Sequence, residues 1–337
     1  MDLASLKKRL LNPGIYPEKP GEVRSIETHI SVIFLTGLHA YKIKKPVNFG
    51  FLDFTSLEKR RYFCQQEVAL NRRLAPRIYL GVVEINEKDG RVSWGGEGHV
   101  IEYAVKMEQI PEELLLNHLV RQNRVTSRMM EMIAEKLSEF FSSAETSDYI
   151  TSFGRPGRIK QDTDENFKQV ERYVGLTISA ETYEAVKERT NQFLRDREEV
   201  FYRRMASRRI RDCHGDLRLE HIVWGEEICI IDCIEFNERF RFTDLAADIA
   251  FLAMDIDYHE RPELNEPLLR AYIQRSGDRE LLQVLDFYKC YRAFVRGKVE
   301  SFQWGDPNIP EEKRGEALKR AQRFFELSCL YSEQFSL

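Results

Sequence analysis

The stretch CHGDLRLEHIVWGEEICIIDCIEF, residues 213–236, sets histidines and aspartates among valine and isoleucine residues. Four of its ionisable side chains stand out: His214, Asp216, His221 and Asp232. Charged groups are costly to bury unless a partner or a metal ion compensates them. Their presence in so apolar a stretch therefore indicates a site with a chemical task.

The middle of this stretch predicts a β-hairpin. HIVW (221–224) and ICIID (228–232) flank a turn at residues 225–227. The hairpin brings His221 close to Asp232, and a pair that includes a carboxylate can hold a divalent cation. Asp216 follows Gly215, which permits a tight turn. The Asp216 carboxylate can accept the proton of an attacking hydroxyl.

Composition sets the outer bounds of the fold. The 337 residues allow two domains or two lobes, and 42% hydrophobic with 31% charged residues is ordinary for a globular enzyme. A net charge of −4 gives no overall field toward nucleic acid or an anionic membrane.

The cysteines and the hydrophobic pattern predict a cytoplasmic protein. None of the six cysteines forms a C-x-x-C pair, so we expect reduced thiols and no zinc site. The amino-terminal residues lack the pattern of a signal peptide. No apolar run reaches the roughly 18 residues of a membrane span, so we expect no membrane partner.

The two halves of the chain differ in periodicity. Residues 1–106 predict mainly strands with one helix, and residues 107–337 predict mainly helices around the single hairpin. In the first half, a capping-box pattern of Thr55 and Glu58 predicts the start of the helix. Glu67 lies on the apolar stripe of that helix.

Strand alternation in the first half predicts a partner for Glu67. In AYKIKK, residues 40–45, Lys42 and Lys44 share one face while Tyr41 and Ile43 share the other. A buried carboxylate costs several kcal/mol, and a lysine on a neighbouring strand would offset that cost. Glu67 at the edge of the stripe, reaching water, is the alternative.

Two blocks of sequence carry a family resemblance. HGDLRLEHIVW (214–224) with IIDCIEFNERFRFTDLAADIAFLAMDID (230–257), and AYKIKKPVNFGFLDFTSLEKRRYFCQQEVALNRRLAP (40–76), resemble the aminoglycoside phosphotransferases, in a bacterial branch of that family. The resemblance implies an α+β, two-lobed protein-kinase-like fold. It has a small antiparallel-sheet lobe that binds nucleotide (1–106) and a mostly helical catalytic and substrate lobe (107–337).

The same resemblance implies roles for individual residues. Asp216 is similar to the catalytic aspartate, and Arg218 holds the position of a basic residue that neutralises the transferring phosphate. Asp232 resembles the main magnesium ligand, with His221 at the second metal position. Nucleotide contacts are implied for Lys42 on the phosphates, Glu67 as its partner, and Ala40, Val223 and Ile231 around adenine. Ala40 is also the reason to prefer Lys42 over Lys44.

Two departures from the family pattern matter. The first hairpin lacks G-x-G-x-x-G, so we expect phosphate contacts from a different loop, around Thr28 to Ser31. His221 offers nitrogen where magnesium prefers oxygen. It would suit manganese better, or it hydrogen-bonds a phosphate or Asp216 instead, or it simply caps the hairpin.

Other charged residues allow two interpretations each. Glu235 could serve a second metal or the substrate. Asp244 is expected to stabilise a helix start or the catalytic loop, after a cap at Thr243. The helix that follows is expected to have one apolar face, formed by Leu245, Ile249, Leu252 and Ile256, with Asp248 on the opposite side in a structural role. The arginines of YRRMASRRIRD (202–212) form either a solvated surface or a site for an anionic substrate. The acidic group of Asp255, Asp257 and Glu260 forms either a solvated surface or a site for a cationic substrate.

The sequence thus predicts an ATP-dependent phosphotransferase that moves the γ-phosphate to a hydroxyl of a small molecule. It would use ATP with Mg²⁺, Mn²⁺ being the alternative metal. One rival is a pseudokinase that binds nucleotide without turnover. The other is a kinase acting on RNA or another macromolecule, which keeps a nucleic-acid partner open. The acceptor and the oligomeric state are not determined by the sequence.

Overall fold

A computed structural model describes residues 2–335 of the chain. In chain order its helices are α1 Leu3–Leu10, α2 Leu57–Asn71, α3 Leu116–Arg121, α4 Ser127–Ser143, α5 Asp148–Thr151, α6 Pro156–Val170, α7 Ala180–Asp196, α8 Glu198–Ala206, α9 Glu238–Arg241, α10 Leu245–Tyr258, α11 Asn265–Ser276, α12 Leu281–Gly305 and α13 Glu311–Glu333. Its strands are β1 Arg24–Glu27, β2 Ser31–Leu35, β3 His39–Lys44, β4 Tyr79–Lys88, β5 Arg91–Trp94, β6 His99–Glu108, β7 Ile210–Asp212, β8 Ile222–Trp224, β9 Ile228–Ile230 and β10 Phe242–Asp244.

The described residues form two compact units. The first runs to His118 and takes in Glu220–Glu238; the second comprises Leu119–Leu219 and the residues from Arg239 onward. The first unit therefore contains the β8–β9 hairpin, although more than 100 residues separate the hairpin from the rest of that unit. The predicted domain boundary after residue 106 stays a prediction.

The first unit is built on an antiparallel sheet in the order β1-β2-β3-β6-β4-β5. On one face, Tyr41 and Ile43 of β3 pack in a core with Leu6 and Leu10 of α1. A second apolar cluster joins α2, β4 and β6 to the hairpin. As the alternation predicts, Ala40, Lys42 and Lys44 occupy the opposite side of β3 from Tyr41 and Ile43. The α+β fold predicted from the sequence is confirmed.

The predicted helix over residues 55–76 is found as α2, but its cap lies one residue later than expected. The Ser56 side chain accepts the Lys59 backbone N–H, whereas Thr55 bonds to Asp53. Both residue types can cap a helix, so the capping-box pattern alone could not separate them.

The second unit is mostly helical, and α10 lies deep within it. All residues from 245 to 256 are buried, so the prediction of a single apolar face with Asp248 opposite it was wrong. Thr243 is not the cap of this helix; Asp244 is, because its side chain accepts the Ala246 N–H at 2.9 Å. Helix α12 packs against both α10 and α13.

Among the described residues, no helix combines the length and the apolar composition that crossing a bilayer requires.

Candidate functional site

A cluster of lysines and carboxylates forms the centre of the first unit. Lys42 Nζ lies 2.8 Å from Glu67 Oε1 and 2.8 Å from Asp232 Oδ1. Lys44 Nζ lies 2.7 Å from Glu67 Oε2 and also bonds to Glu235 Oε1. We call these five residues the two-lysine cluster. Glu67 thus bridges two lysines, one through each of its oxygens.

Burial and charge act against each other in the two-lysine cluster. Burial disfavours the charge on Lys42, but the carboxylates of Asp232 and Glu67 outweigh it and raise the pKa of Lys42 well above its usual value. Burial likewise opposes the charge of Glu67, yet the two lysines bring the pKa of Glu67 below normal. For Glu235 burial prevails, and the pKa of Glu235 is raised.

Backbone contacts hold Asp232 in place. Its N–H donates to Tyr79 Oη at 3.1 Å, and the next N–H, of Cys233, donates to Asn71 Oδ1 at 2.9 Å. Asp232 itself has φ +62°, a left-handed conformation that residues other than glycine seldom adopt. The left-handed backbone therefore sets the direction of the Asp232 carboxylate. The hydrogen bonds to Tyr79 of β4 and Asn71 of α2 hold that backbone in place.

The structure brings together the predicted pair of Lys42 and Glu67 and adds a pair that the sequence did not predict. The sequence suggested Lys44 as a competitor of Lys42, and Glu235 as a ligand of a second metal or of the substrate. In the structure the side chains of Lys44 and Glu235 bond to each other, and both are buried. Their separation of 191 residues leaves no local pattern to detect. Glu67 is fully buried, so the alternative in which it reaches water was wrong.

The donor groups fit a magnesium ion that keeps much of its water. Asp232 is the exposed member of the two-lysine cluster, with 47% of its side chain accessible. The cluster has two ammonium groups against three carboxylates, an excess of one negative charge. His221 Nε2 lies 3.7 Å from Asp232 Oδ2. Within residues 2–335 no group of three or more His, Cys, Asp or Glu is arranged to hold a metal.

The residues expected around adenine are apolar and close in the fold of the first unit. Val223 and Ile231 belong to the apolar cluster that includes Val105 and Met107. Ala40 is the pairing partner of Met107 between β3 and β6. Contact with adenine stays a prediction for all three residues.

The turn between β1 and β2 does not have free amides for a phosphate at most of its positions. Thr28 Oγ1 accepts the N–H groups of Ile30 and Ser31, and the Thr28 N–H donates to the Ser31 carbonyl. Three of the four backbone N–H groups of residues 28–31 are therefore already hydrogen-bonded within the turn. This weakens the prediction that the turn binds phosphate.

The loop that carries the predicted catalytic residues Asp216 and Arg218, called the catalytic loop below, lies in the second unit and is shaped by Gly215. Its φ of +87° is the left-handed conformation that glycine adopts without strain. Asp216 follows, one quarter exposed, and Arg218 binds its two oxygens at 3.1 and 2.9 Å. Arg218 therefore orients the Asp216 carboxylate, a contact that the sequence did not predict.

Two buried carboxylates of α10 hold the backbone of this loop. Asp248 accepts the N–H groups of His214 at 2.7 Å and Gly215 at 3.0 Å. Asp255 accepts the Leu219 N–H at 2.8 Å. Burial raises the pKa of Asp248, and these hydrogen bonds with the nearby Arg292 oppose that rise. Asp248 was expected to be structural, and its two hydrogen bonds to the backbone of this loop agree with that role.

The arginine run and the acidic group are engaged inside the second unit. Arg204 is fully buried between Asp244 and Asp278, and Arg203 pairs with Glu280. The remaining arginines bond as follows: Arg208 to Asp148, Arg209 to Asp278, Arg211 to the carbonyls of Ser142 and Ala144. In the acidic group, Asp257 pairs with Lys289 and Glu260 with Arg323.

A small cavity of about 40 Å³ lies within the second unit. Arg292, only 6% exposed, lines it and lies 3.7 Å from the Asp248 carboxylate that anchors the catalytic loop. The cavity therefore lies beside Arg292 and Asp248, and Asp248 holds the loop that carries Asp216. Its other lining side chains are mostly aromatic or charged: Phe153, Phe240, Phe242, Tyr288, Tyr291, Asp162, Arg239 and Asp244.

The turn at Gly215 before Asp216 and the pair of Lys42 and Glu67 agree with what the resemblance to the aminoglycoside phosphotransferases implies. The model of the phosphotransferase enzyme family matches residues 60–285, more than half of the chain, and the chain belongs to that family. The resemblance drawn from the sequence is thereby confirmed.

Two mycobacterial proteins are similar in sequence to this chain. An uncharacterised protein of Mycobacterium tuberculosis is 33% identical over 284 residues, which are 83% of this chain and 55% of that protein; an uncharacterised protein of Mycobacterium bovis matches equally. The chain thus spans about half the length of the curated relatives that it matches.

Solved structures confirm the fold at low sequence identity. A choline kinase from Cryptosporidium parvum has a TM-score of 0.56 at 12% identity, with 96% of this chain and 93% of that chain covered. A choline/ethanolamine kinase family protein from Mesorhizobium loti has a TM-score of 0.52 at 12% identity, covering 98% and 99%.

Proposed function

We propose that the protein transfers the γ-phosphate of ATP to a hydroxyl group of a small molecule. The observation that carries this proposal is Lys42, whose ammonium lies 2.8 Å from both Glu67 and Asp232. Such an ammonium is suited to phosphate oxygens, and Glu67 orients it. Family membership supports phosphotransfer as the reaction type.

Each residue of the chain has a defined task in this proposal. Lys42 exchanges its contact with Asp232 for the α- and β-phosphates, and the apolar side chains of Ala40, Val223 and Ile231 exclude water around the adenine. Asp232, with His221 beside it, would hold Mg²⁺ or Mn²⁺. A bound divalent ion supplies positive charge to the phosphate oxygens.

Asp216 positions the acceptor hydroxyl and takes its proton as the new phosphate ester forms. Arg218, already bonded to both Asp216 oxygens, fixes the direction of that carboxylate and lies ready to meet the transferred phosphate. Positioning of this kind supplies roughly 7–11 kcal/mol of a barrier. The chain needs no covalent intermediate.

A small-molecule acceptor is favoured over a macromolecular one by the contacts of the arginine run. The macromolecular alternative is weakened because the arginines at 203, 204, 208, 209 and 211 already have carboxylate or carbonyl partners. The mostly engaged amides of the 28–31 turn favour the pseudokinase alternative.

The deciding experiment is a screen of metabolite pools with γ-labelled ATP, comparing the wild type with Asp216→Ala. We expect label transfer by the wild type and a loss of roughly 100-fold or more in the variant. Binding of ATP should persist in Asp216→Ala, because Asp216 is assigned to the acceptor. ATP binding without transfer to any pool would favour the pseudokinase, and equal transfer by the variant would remove Asp216 from the mechanism.

A further inference from the structure

Lys44 is a fully buried lysine that the proposed mechanism does not use. None of its side chain is exposed, and it lies 4.9 Å above the ring of Phe54. Its contacts are Glu67 Oε2 at 2.7 Å and Glu235 Oε1. A buried ammonium is strongly unfavourable without compensating carboxylates, so Lys44 depends on both glutamates and holds both in place.

The contacts of Lys44 join three separate segments of the first unit. Lys44 belongs to β3, Glu67 to α2, and Glu235 to the segment three residues after Asp232. Since Asn71 of α2 also bonds the Cys233 N–H, that segment is attached to α2 at two points. The orientation of Asp232 therefore depends on the same segments that Lys44 connects.

Glu67 divides its oxygens between the two lysines. Oε1 faces Lys42 and Oε2 faces Lys44. If Lys44 were absent, Lys42 would be the remaining cation for Glu67, Asp232 and Glu235 in the two-lysine cluster. Three carboxylates would then compete with the phosphates for one ammonium.

We propose that Lys44 is a positioning residue for the nucleotide: it holds one oxygen of Glu67 and one of Glu235 and offsets one of their two negative charges, and so leaves Lys42 able to exchange Asp232 for phosphate. The proposal rests on the proposed function, because it assumes that ATP meets Lys42. Lys44 itself does not touch the nucleotide.

The test compares Lys44→Met with the double variant Lys44→Met/Glu235→Met. Met at position 44 alone leaves Glu235 buried without its partner, which destabilises the fold. The double variant removes both charges and should recover most of the free energy of unfolding lost in Lys44→Met, measured by urea denaturation. Glu67 still lacks its second partner, so we expect the dissociation constant for Mg-ATP to remain roughly tenfold weaker than in the wild type.

One further variant separates positioning from simple packing. Arg60→Met/Glu102→Met removes another buried ion pair of the first unit, with 2.9 and 2.8 Å contacts, and should leave Mg-ATP binding unchanged.

Equilibrium dialysis with labelled ATP and Mg²⁺ reads out each variant. If the Lys44→Met/Glu235→Met protein binds Mg-ATP as tightly as the wild type, the positioning role of Lys44 is overturned while the proposed function stands. If the wild type itself binds no Mg-ATP, the proposed function fails and this inference fails with it. Weaker binding in the Arg60→Met/Glu102→Met control to the same degree would also overturn the role, since any lost buried pair would then suffice.

Discussion

At the scale of single residues, Asp248 supports the catalytic loop more directly than any sequence pattern indicated. Each of its oxygens accepts one backbone N–H, from His214 and from Gly215. These bonds fix the two residues that precede Asp216. A change at position 248 should therefore act on catalysis through the loop rather than through the nucleotide.

Replacing Asp248 with Asn should lower the turnover of ATP and leave its binding nearly intact. The amide offers one acceptor for two donors, so one N–H loses its partner at a cost of about 1–3 kcal/mol. We expect turnover to fall roughly 10- to 100-fold, measured as steady-state ATP consumption beside the dissociation constant for Mg-ATP. Asp257→Asn on the same helix is the control. Equal losses in both variants would refute the anchoring role.

Local sequence patterns predict some of the contacts around Glu67 and leave others undetermined. The alternation of AYKIKK and the stripe position of Glu67 were enough to predict that a lysine meets Glu67. They could not assign one lysine, because Lys42 and Lys44 share a face and Glu67 has two oxygens for them. The partners Glu235, Tyr79 and Asn71 depend on tertiary packing that no local period encodes.

At the scale of elements, the hairpin and the helices differ in how much their patterns reveal. The turn at residues 225–227 and the strands beside it were predicted because the apolar runs are short and the turn is polar. Helix α10 was predicted as a helix, but its surroundings were not. A helix with few polar residues is buried on all sides, and Asp248 and Asp255 are then polar only because the catalytic loop requires their bonds.

Helix α12 contains a lysine whose burial should make stability depend on pH. Burial brings the pKa of Lys298 from 10.5 to about 8, while its ammonium bonds to Asn166 and Gln169. The unfolded chain then binds more protons than the folded one between pH 8 and 10.5. The contribution of Lys298 to the free energy of unfolding therefore becomes more favourable as the pH rises through that range.

Lys298→Met should remove this dependence. We expect the free energy of unfolding of the variant, relative to that of the wild type, to be about 1–2 kcal/mol higher at pH 7 than at pH 10. Urea unfolding at a series of pH values measures this difference. Lys313→Met, at an exposed position on α13, should show a constant difference from the wild type. If the difference in free energy of unfolding between Lys298→Met and the wild type is also constant with pH, burial does not lower the pKa of Lys298.

At the scale of the whole molecule, the first unit is discontinuous in sequence. Its sheet comes from residues before His118, but the hairpin and two carboxylates of the two-lysine cluster come from Glu220–Glu238. Sequence periodicity located the sheet and the hairpin separately. It could not show that they belong to one compact unit, because contacts between distant segments leave no trace in local spacing.

A fragment of residues 1–118 should therefore fail to fold cooperatively. It would bury Lys44 without Glu235 and expose the apolar cluster around Val105 that Val223 and Cys229 cover. We expect no sigmoidal urea transition in circular dichroism. Joining residues 220–238 to the fragment through a flexible linker should restore one. A cooperative transition in the short fragment would show that the hairpin is dispensable to the sheet.

The left-handed backbone at Asp232 and the late arrival of Glu235 together bear on biosynthesis. A ribosome releases Lys44 and Glu67 within 23 residues of each other, but Glu235 follows Lys44 by 191. During that interval Lys44 has only one of its two carboxylate partners, and Val223 and Cys229 do not yet cover the apolar cluster around Val105. We therefore expect the first unit to complete its core only after residues 220–238 have been synthesised.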